Sequence, residues 1–458
     1  MNKKIYGIDL GTTNSLIGCD GHLITRLVPS KVDMNRRVSV PHSSIGEGIV
    51  GSYKVNMGLG PESKISVEAS TIVLEELCRH VKEYNNEKVE DVIISVPAYF
   101  SFNQRQAVRQ AAENAGLNLI SVINEPTAAA IHICGGYSED IKRGVFAVYD
   151  LGGGTFDCTL IDSRSGKYKV IATDGCILGG DNLDKAIANF IMDQQKVLHE
   201  NRGKLEVNKL VATCEVCKRK IVEACSYFEP DSYTVEVALP ESMCRGGNKV
   251  GILSIEDYKR LVREVFGETV GILSNLIEAN ISKGTDVNVV FVGGSVHDTY
   301  LCRYVLKQCG IPGTNVHFDD NPDFTVALGV VEYAHAMSKG EADVVFRDVT
   351  KQLSIKDEAG KAEVIIEANS SIPCSKTKIF TNHEESKYLN VDLYQGNSSL
   401  ASDNEFIGTL QYPYGTTMGP NEGDVEVTVS VDSSGFITLE VEDIVNFGEK
   451  QSLQLKGF

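Results

Sequence analysis

The sequence is short of basic residues: 44 Lys and Arg stand against 62 Asp and Glu, for a formal charge of -18. That balance disfavours a broad electrostatic footprint on nucleic acid or on an anionic membrane surface, and neither is expected as a partner. Long apolar runs are also lacking, since none approaches the roughly 20 residues that a membrane-spanning helix needs. Residues 1–14 hold neither an extended apolar stretch nor a small-residue cleavage site, so nothing there directs export and a cytoplasmic location is expected. Paired cysteines are nearly missing. The twelve cysteines are scattered singly except Cys214 and Cys217, in a chain far larger than a disulfide scaffold, and they read as reduced thiols. Cys214-x-x-Cys217 raises zinc binding, but the pair lies in a helical-looking run, 209–224, without a second pair or a nearby His; ordinary helix packing is the stronger reading. Two phosphate-binding fingerprints are absent as well: there is no Gly-x-x-x-x-Gly-Lys-Ser/Thr loop and no strand-linked Gly-x-Gly-x-x-Gly turn.

What is present is enough for two or three domains, with 458 residues and 42% hydrophobic content. The clearest feature is a weak internal repeat, Ile8-Asp9-Leu10-Gly11-Thr12-Thr13 and Tyr149-Asp150-Leu151-Gly152-Gly153-Gly154-Thr155-Phe156-Asp157. Both copies read as strand, tight turn, strand, which suggests two related lobes facing each other. A third apolar strand, 289–292, breaks at Gly293-Gly294-Ser295. Helical patterns lie between these strands, at 66–84, 104–115 and 125–133. The first 340 residues therefore read as α/β. From 364 onward come short alternating segments, including 389–394, 425–431 and 436–441, separated by Gly, Asn, Asp, Ser and Pro turns; these read as an all-β module.

A turn that brings several backbone N–H groups against a phosphate needs small residues, because side chains would hold the anion away. Gly11, Gly152, Gly153 and Gly154 fit, and Thr12, Thr13 and Thr155 add hydroxyls that can donate to phosphate oxygens. Asp9 and Asp150 precede the turns at strand ends, and two carboxylates there suit a Mg²⁺ that keeps several waters while it bridges phosphates. Either Asp-Leu-Gly alone is readable as a hairpin turn. Two copies plus a diglycine strand end favour a nucleotide held between lobes.

These residues resemble the signatures of the seventy-kilodalton heat-shock chaperone family. Residues 8–15, Val96-Pro97-Ala98-Tyr99-Phe100, Asn124-Glu125-Pro126-Thr127-Ala128-Ala129-Ala130, Asp150 to Asp157, Val292-Gly293-Gly294-Ser295 and Asn321-Pro322-Asp323 are similar to them, in the family's order and over nearly the whole chain. Asn369-Ser370-Ser371-Ile372-Pro373 and Tyr394-Gln395-Gly396 continue the likeness. The resemblance implies an actin-like two-lobed ATPase domain over 1–340, a linker over 341–350 and an all-β sandwich peptide-binding domain over 351–458. It further implies ATP or ADP with Mg²⁺, slow hydrolysis, unfolded or extended apolar peptides as ligands, and a J-domain co-chaperone as a partner.

Roles follow from the same resemblance. Lys54, in Lys54-Val55-Asn56-Met57-Gly58, looks like the family's catalytic lysine, with Lys64 its rival because a deletion blurs the register. Glu125 looks like a carboxylate near the metal's waters, and it joins Asp9, Asp150 and Thr155 in the catalytic set, with Asp9 and Asp150 reaching Mg²⁺ through water. Asn14, Gly180, Glu215, Lys218, Arg219, Gly293, Gly294, Ser295 and Asp323 complete the nucleotide set with the turn residues. Pro97 and Arg105 resemble a relay to the linker segment 343–349, where Asp343 and Asp348 are the allosteric candidates; Phe380, Leu389 and Val391 look like the lining of the peptide groove. Blander alternatives stand beside these: a solvated Lys54, a Glu125 that only faces a helix N-terminus, an exposed helical Arg105, and sandwich-core roles for Phe380, Leu389 and Val391.

Departures accumulate around the nucleotide. Val222 stands where the family has a base-contacting Ser, His297 where it has a stacking Arg, and segment 174–180 is one residue short and lacks a metal-side Asp. Between Gly58 and Ile65 most of one outer subdomain is missing, which predicts a more open cleft; no helical lid follows the β module. An ATP-dependent chaperone is the main reading, and an ATP-binding regulator or scaffold with negligible hydrolysis is the alternative. An actin-like filament protein or sugar kinase would share the lobes but has no use for the β module.

Overall fold

Ile5–Leu10, Asp91–Val96, Val145–Leu151 and Val287–Val292 are apolar and buried along most of their length. That is the signature of interior strands covered on both faces. The computed structural model describes residues 4–136, 144–164, 169–198, 200, 202–227, 232–244, 249–319, 321–340, 347–349, 351–357, 359–368, 370–432, 435–443 and 451–454. Within it, Ile5–Leu10 lies between Asn14–Cys19, antiparallel, and Asp91–Val96, parallel, with Asn118–Asn124 parallel beyond. Val145–Leu151 lies between Phe156–Asp162, antiparallel, and Val287–Val292, parallel, with Val316–Phe318 parallel beyond. His22–Leu23 and Lys169–Cys176 extend the antiparallel sides. Order and strand direction are the same in both sheets, which is the structural form of the repeat read from sequence. The hairpins also share a register: Leu10 pairs with Ser15 and Leu151 with Phe156, so each glycine-bearing turn is held by the same ladder.

Two helices, Glu125–Gly136 and Thr325–Lys339, join the sheets. Ile93 and Ile123 from the first sheet, Phe146 and Val148 from the second, and Ala129, Ile133, Val330 and Ala334 from the helices form one buried cluster. The helices approach so closely that a Cβ on Gly329 would lie 1.8 Å from the Ala128 carbonyl oxygen, so only glycine fits there. This crossing fixes Glu125 at a helix start beneath both turns.

After Lys339 the described residues form strands, turns and the 3-10 helix Ala401–Asp403. Ala362–Ile366, Leu353–Lys356, Ser386–Gln395 and Glu405–Met418 make one four-stranded antiparallel sheet; Cys374–Phe380, Val425–Val431, Ile437–Asp443 and Gln451–Gln454 make another. Alternate residues such as Leu393, Val427, Val429, Leu439 and Val441 are fully buried in a core shared by both sheets. Phe102 of the α/β part belongs to that core at 1% exposure. It opens the helix Phe102–Asn114, whose start is fixed by a capping box between Ser101 and Gln104. Around it, the Phe102 N–H donates to Gln395 Oε1 (2.8 Å), Ser101 Oγ and Asn103 Nδ2 donate to Glu405 Oε1 (2.9 and 2.8 Å), and the Arg109 guanidinium lies 3.3 Å over the Phe436 ring. Among the described residues, no helix is long and apolar enough to cross a membrane.

Candidate nucleotide-binding site

Both glycine turns face one cavity of about 540 Å³. Gly11, Thr12, Thr13 and Asn14 line it from the first sheet, and Gly152, Gly153 and Thr155 from the second. Its walls continue through Gly180, through Glu215, Lys218, Arg219 and Val222 on the helix Lys204–Tyr227, and through Gly293, Gly294, Ser295, His297 and Asp323. Glycine is required at several of these places. A Cβ on Gly153 would lie 2.1 Å from Thr13 Oγ1; Gly293 has φ +88° and would place a Cβ 2.8 Å from Asp150 Oδ1. A cradle of bare backbone, hydroxyls and glycine is what a polyphosphate requires.

The floor carries Asp9, Glu125 and Asp150, with Asp157 behind them. Asp9 accepts a hydrogen bond from Ser95 Oγ (2.6 Å), and Asp157 accepts one from the Ala98 N–H (2.6 Å), which ties the second sheet to the first. Burial, reinforced by the Glu125 charge, pushes Asp9 up to about 6 and Asp150 and Asp157 well above the usual carboxylate range. Among the described residues, one cation answers them. Lys54 is 1% exposed, and its ammonium donates to Glu125 Oε1 at 5.9 Å from the Phe100 ring centroid. Four carboxylates facing one ammonium leave an excess of buried negative charge, which a dication relieves. Among the described residues no group of three or more His, Cys, Asp or Glu is placed to ligate a metal directly. Asp9 and Asp150, at the two turns, are the carboxylates that would hold a Mg²⁺ there.

At the far end, Arg219 pairs with Glu215 (2.7 Å) and the His297 imidazole with Asp323 (3.0 Å), with Val222, Leu27 and Pro322 between them on the wall. The Lys218 ammonium is held by Asp184 Oδ2 (2.8 Å) and the Gly180 carbonyl (3.2 Å). Asp184 is 3% exposed, and burial pushes its carboxyl up to about 6. Sequence reasoning did not single out Asp181, Asp184, Glu223, Tyr258 or Asp298, all on the wall. Asp181 and Asp184 follow the Gly179-Gly180 pair, which was a usable signal; Tyr258 and Asp298, joined by a 2.7 Å hydrogen bond, come from separate helices and had none.

A model of the family described as "Hsp70 protein" matches residues 30–457. The chain belongs to the Hsp70 protein family. Two relatives, each named "Chaperone protein DnaK" and from two strains of Halobacterium salinarum, are 31% identical over 487 aligned residues, covering 100% of this chain and 75% of theirs.

Of the nucleotide and catalytic candidates in this Hsp70 protein, only Lys54 and Gly154 are off the cavity wall. Lys54 reaches it through Glu125. Gly154 sits behind the turn, where a Cβ would meet Thr12 Cγ2 at 2.7 Å, so its smallness serves packing. Lys64 is exposed near the start of the helix Ser63–Asn85 and is not on the cavity wall. After the short strands Val32–Asp33, Val38–Ser39 and Ile49–Val50, the Ser52 hydroxyl donates to Asp181 on the second-sheet side of the cleft.

The remaining candidates divide. Pro97 is buried beside Ala98, and Arg105, 4% exposed, donates to the Phe100 carbonyl (3.2 Å) and to Asn124 Oδ1 (2.8 Å), next to Glu125; it is not an exposed helix residue. Val391 is corrected: at 2% exposure its side chain is in the shared core, because alternate residues of Ser386–Gln395 point inward. Leu389 and Phe380 are half-buried against that core. Asp343 lies outside the described residues; Asp348 lies in the strand Arg347–Val349, which pairs with Ser370–Ser371. Cys214 and Cys217 are buried on the helix Lys204–Tyr227 and pack in the core around the second sheet.

Proposed function

We propose that this Hsp70 protein is an ATP-hydrolysing chaperone of actin-like, two-lobed architecture over 1–340, coupled through 341–350 to a β-sandwich over 351–458 that binds extended apolar peptide. The observation that carries the reading is the buried floor of Asp9, Asp150, Glu125 and Lys54 beneath two matched glycine turns. The turns cradle the phosphates of ATP or ADP; Glu215, Lys218, Arg219 and His297 flank the nucleoside. Mg²⁺, when bound, supplies charge neutralisation between phosphate oxygens and the carboxylates. Lys54, steered by Glu125, stabilises charge on the transferring phosphoryl group and orders the attacking water. Arg105 links Asn124 to the region of Gly435, whose Cβ would lie 3.4 Å from its Nη1, giving the β part a physical route to the site. Peptide recognition is assigned to the half-buried face at Leu389 and Phe380, by strand addition with side-chain pockets. A J-domain co-chaperone and a cytoplasmic location complete the proposal.

A regulator that binds ATP without turnover is the second reading, favoured by Val222 and His297 at the nucleoside end and by the shortened segment 174–180. Single-turnover hydrolysis of radiolabelled ATP with Mg²⁺ separates the two. Phosphate release above the buffer rate is expected; tight ATP binding with no release supports the regulator and overturns the ATPase.

A further inference from the structure

Ser52 stands immediately before the one-turn helix Tyr53–Asn56 that carries Lys54, in the left-handed region at φ 51°. A serine there is uncommon, so the neighbouring structure must hold it. Its hydroxyl donates to Asp181 Oδ2, across the cleft. Asp181 in turn begins the helix Gly180–Gln194, its N–H donates to the Gly153 carbonyl (2.7 Å), and its other carboxylate oxygen would lie 3.4 Å from a Cβ on Gly153. Asp181 is thus tied by its backbone N–H to the phosphate turn of the second sheet and by its carboxylate to the residue that precedes the lysine's turn.

We propose that Ser52 and Asp181 form a cross-cleft latch that positions Lys54 on Glu125 when the phosphate turn at Gly153 is filled, making both positioning residues for hydrolysis. The proposal rests on the ATPase reading above. Lys54 is deeply buried, so the position of the backbone at 52–56 sets where its ammonium meets Glu125. In the described contacts, the Ser52–Asp181 hydrogen bond is the polar link of that turn to the second sheet. A ligand that moves Gly153 moves Asp181 with it through the 2.7 Å backbone hydrogen bond. Neither residue needs to touch the reacting atoms.

The test compares single-turnover hydrolysis and ADP affinity in the full chain for wild type, Ser52→Gly, Ser52→Asn and Asp181→Asn. Ser52→Gly keeps the left-handed backbone at no steric cost and removes only the hydroxyl. Ser52→Asn also tolerates that conformation and restores a donor. Losing a hydrogen bond to a charged group corresponds to roughly a tenfold to hundredfold slower step. That loss is expected in the hydrolysis rate of Ser52→Gly and Asp181→Asn, with ADP affinity changed less than threefold and with Ser52→Asn recovering most of the rate. Equal hydrolysis by wild type and Ser52→Gly overturns the latch, as does a parallel loss of ADP affinity and rate, which would mark a merely structural role. A wild type that does not hydrolyse ATP would instead sink the ATPase reading, so the two failures are distinguishable.

Discussion

Replacing Lys54 by Met keeps the buried stem beside Phe100 and removes only the charge. Among the described residues the ammonium is the cation in contact with the floor, bonded to Glu125 and lowering the cost of ionising Asp9, Asp150 and Asp157. At an effective dielectric of about 20, an ion pair at about 3 Å is worth roughly 5 kcal/mol of Coulomb attraction, part of which offsets desolvation. Breaking such a buried pair from one side typically costs about 3–5 kcal/mol, because the other charge is left unpaired. Mg²⁺ at the floor can replace part of the lost charge, so the loss of stability is expected to shrink when Mg²⁺ is added. Hydrolysis has no such relief. Loss of a charge aimed at the transition state lowers the rate by about 10²-fold or more, with ADP affinity nearly unchanged. Thermal melting with and without Mg²⁺ reads the first effect, and single-turnover hydrolysis the second. Lys64→Ala, at an exposed position, stays within about 0.5 kcal/mol and hydrolyses normally. Wild-type turnover by Lys54→Met, or inactivity of Lys64→Ala, refutes the assignment.

Asp184 has a folded-state carboxyl raised from 3.8 to about 6, so its contribution to stability is full below about pH 4 and is lost as pH rises through 6. Asp184→Asn should remove that slope, shifting the stability difference in the variant's favour by about 2 kcal/mol between pH 4.5 and 7 in chemical denaturation; a constant difference would contradict it. Arg109→Ala, which strips the stacking on Phe436, should cost about 1–2 kcal/mol of contact between the α/β and β parts, read as faster hydrogen exchange in the helix Phe102–Asn114. Unchanged exchange would mean the contact carries no energy. Mg²⁺ with ADP at 100 times its dissociation constant should stabilise the fold by roughly 2.7 kcal/mol, and a melting temperature indifferent to nucleotide would remove the basis of the site.

The sequence exposed what depends on backbone chemistry and hid what depends on approach. Close contact of a phosphate with main chain demands glycine, and Gly11 and Gly152 to Gly153 announced it twice, in one register. The helical periods at 66–84 and 104–115 located Ser63–Asn85 and Phe102–Asn114 to within a few residues, the second start being shifted by the Ser101 cap. Choosing Lys54 over Lys64 needed the fold, because only burial separates two lysines on either side of a deletion. Asp181 was legible as an acid after a diglycine, but its partner Ser52 lies 129 positions away and carries no motif. Val391 misled because strand alternation reveals that one face is buried, and cannot say whether that face meets a core or a ligand.

Peptide release tests the central claim most directly. A fluorescent apolar peptide is bound to the full chain in ADP and Mg²⁺, then chased with excess unlabelled peptide in ADP or in ATP, while anisotropy follows dissociation. The account predicts faster release in ATP than in ADP, with the difference abolished when nucleotide is withheld. Equal release rates in both nucleotides, from a protein shown to bind each of them, would contradict it.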